Sequence, residues 1–379
     1  MFTYYSNAEL CIVYLFDVPT IAVDRHSPTY SGSRSSVQNN DNRMRAFYQS
    51  SWWVRGWTLQ ELLAPQQLFF YDQGFNIIGS KLELCFQVSE ITGIKVPYLI
   101  GQKPINRASI ATRMSWASNR TTTRLEDEAY SLLGIFDVNM PLVYGEGKMA
   151  FFRLQREILA NSDDESIFGW LPDGVQDDDE AFGMLAESTR DFRHSQRITR
   201  IKMSPERRMP YALTNKGLEF QLGYSQKYEA EYQTRILGPD QAIIPLACLR
   251  TTERHGKRKE RTVAIFLSRI DGAWYRINCS RFLYTQEKRR DALHFRTFYV
   301  AQPNLTTTHR MSKEEILDYT ASLKQDIVIK QEQQRLRRED RKKYLLPTVG
   351  LVLGLSAASG LFTRRSKHRD NSSDTNSEP

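Results

Sequence analysis

Apolar positions in the first part of the chain fall in short unbroken runs. Leu10 to Phe16 (LCIVYLF) combines β-branched and aromatic residues and ends at Asp17 and Pro19, which predicts a buried strand. Residues 27–45 are rich in Ser, Asn, Asp and Arg with almost nothing apolar, so they read as a loop. The run SSWWVRGWTLQELLAP reads as helical from Trp57 until Pro65, whose missing N–H stops it. Leu68 to Tyr71 (LFFY) predicts a second short strand.

Helical periodicity then takes over. Ser80 and Glu83 have the spacing of a capping box, ahead of Leu84, Val88 and Ile91 on one face. Residues Ser109 to Ser118 place Ile110, Met114 and Ala117 on one stripe. Thr123 and Glu126 form a second box, whose helix carries Leu125, Ala129 and Leu132 to a stop at Gly134. A longer helix from about Lys148 to Asn161 turns Phe151, Leu154 and Ile158 inward.

Between Asp173 and Glu180 the composition turns acidic and the periodicity stops, which marks a boundary. Period two follows. Leu218, Phe220 and Leu222 alternate with polar residues, and Ala242–Leu249 and Thr262–Leu267 flank a charged tip at 251–261. With Trp274–Ile277 and Phe295–Val300 they predict an antiparallel sandwich or barrel. The tip is most simply a solubilising turn, with phosphate binding as the other reading. Ser312 and Glu315 open a last helix, and Tyr344 to Thr363 then runs for twenty residues without a charge. That length matches a bilayer core, and Gly350 and Gly354 have the close-packing spacing of membrane helix pairs. The larger basic cluster precedes this run, which places the preceding domains on the cytosolic side of a membrane, as a tail anchor would.

Charge changes the picture of partners. The net charge is +8, but Arg335 to Arg369 hold ten Lys and Arg against Glu339 and Asp340, and the last ten residues are acidic by three. Residues 1–334 therefore carry only +3, which argues against nucleic acid as a partner of the folded part. Cys11, Cys85, Cys248 and Cys279 lie far apart, and the six histidines show no paired spacing, so no metal site or disulfide framework is expected.

Three stretches resemble the HET (heterokaryon incompatibility) domain of fungal vegetative-incompatibility proteins. Residues 2–18 (FTYYSNAELCIVYLFDV) resemble its segment in which a helix ending in Tyr-x-Asn-Ala feeds a strand. Residues 51–65 (SWWVRGWTLQELLAP) match its most characteristic motif, and 109–157 are similar to its downstream signature almost throughout. The β-rich region resembles the domain that often follows. In the family a strand and a helix precede the motif near Met1, so the resemblance implies a domain that lacks its first strand. The expected fold is an incomplete TIR- or flavodoxin-like α/β unit over 1–172 followed by helices. An acidic linker (173–182), an all-β antiparallel domain (183–310), a charged C-terminal helix (311–343), the candidate span (344–363) and a polar tail (364–379) complete it.

The function this resemblance implies is self/non-self recognition and cell-death signalling, through protein partners and self-association, with no cofactor. The HET domain is similar in architecture to the TIR domain, some members of which cleave NAD with a glutamate. TIR sequences carry Trp-Cys-x-x-Glu-Leu, and Trp57 to Leu62 keeps the Trp and Glu four apart, on one helical face. The second expectation is therefore an NAD glycohydrolase with Glu61 as the catalytic acid, and the third an inactive paralogue. Structurally, Arg55 and Glu61 could instead pair while Trp52, Trp53 and Trp57 pack the core. Arg113, Arg120, Arg124, Glu126 and Asp127 form a second polar set, read as a salt-bridged scaffold or a ligand site. Gly145-Glu146-Gly147-Lys148 before a helix has the look of an anion-binding turn.

Overall fold

The LFFY run forms the middle strand of a three-stranded sheet, with Leu68 and Phe70 turned to the core. In chain order the first elements are α1 (Phe2–Ser6), β1 (Cys11–Tyr14), α2 (Arg34–Gln49), α3 (Thr58–Leu63), β2 (Leu68–Tyr71) and β3 (Ile77–Ser80). β1 runs parallel to β2, with Cys11 opposite Leu68, and β3 runs antiparallel on its other side. Val13, Leu68 and Phe70 are buried beneath α3 and the aromatic cluster of Phe47, Trp52 and Trp53. Ile12 and Tyr14 on the other face are exposed, so β1 is an edge strand buried on one face, where full burial was expected.

The computed structural model describes residues 1–20, 34–174, 181–201, 211–224, 227–230, 233–236, 239–254, 256–270, 272–277, 279–285 and 294–302. The charged helix, uncharged run and tail expected over 311–379 lie outside the described residues. Among the described residues no helix is long and apolar enough to cross a membrane. The polar segment expected to be a loop up to residue 45 is α2 from Arg34 onward. The reason is tertiary: its last turns bury Phe47 and bring Arg43 to the buried carboxylate of Asp72 at 2.9 Å, gains invisible in local composition.

A helical layer follows: α4 (Cys85–Thr92), α5 (Val96–Leu99), α6 (Ile110–Ala117), α7 (Asp127–Tyr130), α8 (Leu133–Phe136) and α9 (Met149–Asn161). The Ser80–Glu83 box forms reciprocally, at 2.7 and 3.1 Å, on the turn ahead of α4, and Gly93 at φ +69° ends that helix. Ser109 caps α6. The second box does not form. Instead of one helix from Thr123 there are two short ones, Leu125 is exposed, and Gly134 lies inside α8. Glu126 has turned away to accept from Gly145 and Gly147, a tertiary bond that replaces the local cap.

The rest of the described chain builds β4 (Ile198–Arg200), β5 (Ala212–Thr214), β6 (Gly217–Tyr224), β7 (Lys227–Ala230), β8 (Gln233–Ile236), β9 (Gln241–Arg254), β10 (Lys257–Ile270), β11 (Ala273–Ile277), β12 (Leu283–Thr285) and β13 (His294–Val300). Eight of them form one sheet in the order β4-β9-β10-β11-β13-β6-β5, with β12 also on β10, and β7 pairs with β8 alone. β6 touches β9, four places away in that order, so the sheet curls on itself. A bulge between Thr262 and Ala264 bends the long β9–β10 hairpin, and where an antiparallel sandwich or barrel was expected there is one curled sheet. The β11–β13 pair is parallel, a departure from the all-antiparallel expectation. The charged tip is ladder up to Arg254 opposite Lys257, where a loop was expected.

One cluster of buried side chains runs from Val13 through α6 and α9 to Val300, within a unit spanning Met1–Thr307. Buried Arg276 of β11 donates to the carbonyls of Phe168 and Trp170 and lies 4.1 Å from the Trp170 ring centroid. Most of the acidic run, 175–180, lies outside the described residues.

Candidate functional site

Trp57 and Glu61 are placed by a loop that the core holds at both ends. At its start Asp17 accepts from the Ser50 and Ser51 hydroxyls and the Ser51 N–H, at 2.7 to 2.8 Å. Burial opposes ionisation of Asp17, yet these bonds hold its carboxyl below the usual range. Trp52 and Trp53 meet edge to face at 4.8 Å, pack on Phe47 and Phe70, and Trp53 Nε1 donates to the Phe47 carbonyl. Gly56 lies against 121–122: its N–H reaches the Thr121 carbonyl at 2.9 Å, and an added Cβ would sit 2.3 Å from Thr122 Cγ2.

Arg120 ties this loop from beneath. Its Nη1 donates to the Arg55 carbonyl at 2.9 Å and to the Thr58 hydroxyl at 2.7 Å, and its Nε to the Trp116 carbonyl. Burial pushes its pKa down to about 9, against the opposing pull of the Glu61 charge. Lys81 plays the matching part at the far end of α3, its ammonium reaching the carbonyls of Leu62 and Pro65 at 3.1 and 2.5 Å. The first is an orphan acceptor of the α3 C-terminus and the second belongs to the chain just beyond it, and burial brings this lysine to about 8.

Glu61 itself is half-buried, and the Tyr5 hydroxyl of α1 donates to its Oε1 at a long 3.4 Å. Burial and then the Glu61 charge raise both the Tyr5 phenol and the Cys11 thiol, so Cys11 is not an activated nucleophile. Trp57 is half-buried at the N-cap of α3. Arg55 is exposed, and among the described residues no ion pair joins it to Glu61. An open groove of about 550 Å³ lies close by in the chain, lined by residues 6–10 with Gln66 and Gln67, and Glu61 is not in its wall.

The second polar set divides: Arg124, Glu126 and Asp127 meet the 144–147 turn, whereas Arg113 and Arg120 bond other parts of the fold, and among the described residues no ion pair joins any two of the five. Arg113 donates to the Ile135 carbonyl at 2.9 Å and lies over the Phe136 ring, with its pKa brought to about 10 by burial against the pull of Asp164. Exposed Arg124 covers the Tyr144 ring at 4.5 Å, and Tyr144 donates to Asp127 at 3.0 Å. The Gly145–Lys148 turn does bind an anion: the carboxylate of Glu126, through Gly145 N–H at 2.7 Å and Gly147 N–H at 3.0 Å. Although burial opposes it, backbone donors keep Glu126 below the usual carboxylate range. Glu146 turns back to Arg153 and Tyr130.

Over 163 residues, 43% of the chain, the sequence is 39% identical to "Vegetative incompatibility protein HET-E-1" of Podospora anserina. The likeness is thus to part of a vegetative-incompatibility protein. The match takes in 11% of that relative, so the chain spans a small part of the length of the curated protein it resembles. No family model matches the chain, and no solved structure matches it. Sequence reading named Glu61, Trp57, Arg113 and Arg120, and missed Tyr5, Asp17 and Lys81, the groups that fix α1, the loop start and the end of α3. Only the acidic stop after the LCIVYLF run hinted at Asp17. Tyr5 and Lys81 act across 56 and 16–19 residues of chain and left no local signal.

Proposed function

We propose that this chain acts in fungal self/non-self recognition of the heterokaryon-incompatibility type, and that its first part is a HET domain that promotes cell death when copies are brought together. The likeness to a vegetative-incompatibility protein carries the reading. What supports association as the trigger is the outer face of the β1-β2-β3 sheet. Ile12, Tyr14 and Ile77 are exposed there beside half-buried Phe69 and Tyr71, and Phe75 stacks on Tyr14 at 4.5 Å. An apolar sheet face and an edge strand without a described neighbour are the features of a self-association surface, and a second copy is the occupant proposed. The parallel β1–β2 pair under a helical layer suits a TIR-like unit. The basic-flanked run 344–363 suits tethering to a membrane with the rest on its cytosolic side.

The test is expression of the full chain fused to an inducible dimeriser in a fungal host. Loss of viability on clustering is expected. Full viability with the clustered protein present at equal level would overturn the reading.

A second reading, NAD cleavage with Glu61 as catalytic carboxylate, draws on the Tyr5–Glu61 contact between α1 and α3. Nicotinamide release by purified clustered protein, lost in Glu61→Ala, would carry it. No release from the clustered protein would remove it.

A further inference from the structure

The hairpin tip read as a solubilising turn sorts its charges by face. In the β9–β10 ladder Arg261 stands opposite Arg250 and Lys259 opposite Thr252, while Arg258 stands opposite Glu253 and Glu260 opposite Thr251. Paired residues share a face and neighbours alternate, so Arg250, Lys257, Lys259 and Arg261 lie on one side. Both carboxylates lie on the other. There Arg258 bonds Glu260 at 2.8 Å, and Arg197 comes within 3.9 Å of Glu253.

The cationic face continues the core face outward. Buried Cys248 and Val263 lie on it nearer the body, followed by Arg250, which donates to the Tyr284 hydroxyl at 2.7 Å and covers the Phe282 ring. Arg261 covers the Tyr284 ring at 5.2 Å. Lys257 and Lys259 are exposed beyond them, and among the described residues neither has a carboxylate within ion-pair distance.

We propose that this face of the ribbon binds the phosphate backbone of a nucleic-acid duplex. Lys257, Lys259 and Arg261 step along one strand at about 6.8 Å per pair of residues, a line of cations matched to a linear polyanion with a charge every ~3.4 Å per strand. A two-stranded ribbon also fits a major groove about 12 Å wide. Lysines supply point charges rather than bidentate base contacts, so recognition is of backbone and not of sequence. A bilayer is the poorer fit: the ribbon is narrow, and its described residues expose no large apolar side chain to insert. The near balance of charge over residues 1–334 conceals this arrangement, because the ribbon's acids are all on the reverse side.

The test is a fluorescence-anisotropy titration of the full chain with a short labelled duplex, at several salt concentrations. Lys257→Glu with Lys259→Glu is compared with Arg197→Glu with Arg258→Glu, an equal charge change on the opposite face. Basic residues 335–369 are present in both variants, so their contribution cancels. The first pair is expected to weaken binding by about tenfold or more and flatten the salt dependence, and the second to change it by no more than about twofold. Equal losses in the two pairs, or no binding by the wild type, would overturn the proposal. So would the same face dependence with anionic vesicles or an acidic peptide but not with the duplex. Thermal melting confirms that each variant is folded, and Lys257→Gln with Lys259→Gln supplies a milder version of the same comparison.

Discussion

Arg120 Nη1 donates to the Thr58 hydroxyl at 2.7 Å, joining the end of α6 to the start of α3 across 62 residues of chain. The same guanidinium holds the Arg55 carbonyl, and Thr58 Oγ1 is within 2.8 Å of the carbonyls of Trp52 and Arg55. Removing either partner leaves buried polar atoms unsatisfied. Thr58→Val is expected to cost about 1–3 kcal/mol, and Arg120→Met about 3 kcal/mol or more. Urea denaturation of the two variants and their double mutant measures this. Full additivity would show that the pair does not act as one network.

Glu126 and the 145–147 turn make a second prediction. Glu126→Ala removes the acceptor from two backbone N–H groups, whereas Glu126→Gln keeps an oxygen in place. The alanine variant is expected to lose about 2 kcal/mol and the glutamine about 1. Protease cleavage within the exposed 141–148 loop should rise in the same order. Equal cleavage in all three proteins would mean the turn is held by something else.

Asp191 gives stability a pH dependence. Its carboxylate accepts from the N–H groups of Asp173, Glu187 and Ser188, yet burial raises its pKa to about 6. The folded state therefore holds this proton more tightly than the unfolded chain. The contribution is full below the unfolded value of 3.8 and is lost as pH rises through about 6. The stability difference between wild type and Asp191→Asn should thus fall by on the order of 2–3 kcal/mol between pH 4 and pH 7. Denaturation curves at those two pH values decide it, and an unchanged difference would refute it.

Ile12 bears on association. It is 56% exposed on the edge strand, so Ile12→Arg should leave the fold intact. If copies meet through the outer sheet face, the variant is expected to shift the full chain from dimer to monomer in light scattering, by about tenfold in dissociation constant. An unchanged mass distribution would place association elsewhere.

Gly56→Ala tests how closely the Trp-rich loop must approach 121–122. Its Cβ would lie 2.3 Å from Thr122 Cγ2, so the two backbones must part or Thr122 must turn. A cost of about 1–3 kcal/mol is expected. Thr122→Ser with Gly56→Ala should recover part of it, because Cγ2 is then gone.

What the sequence determined by itself was local. Apolar runs and period two located β1, β2 and most of the curled sheet, and the periodicity of 148–161 located α9 to within a residue. Pro65 and Gly93 marked helix ends, and Ser80 and Glu83 paired as their spacing required, because these effects act over three or four residues. Tertiary structure decided the rest. It made a helix of polar residues 34–49 by burying Phe47 and pairing Arg43 with Asp72, and it took Glu126 from its own helix to serve a turn 19 residues away. It also set the β9–β10 register that sends the ribbon's lysines and glutamates to opposite faces. Each of these depends on groups distant in the chain finding one another in a low-dielectric interior or across a ladder. There a single bond or a one-residue shift outweighs local preference, and no window of sequence contains both partners.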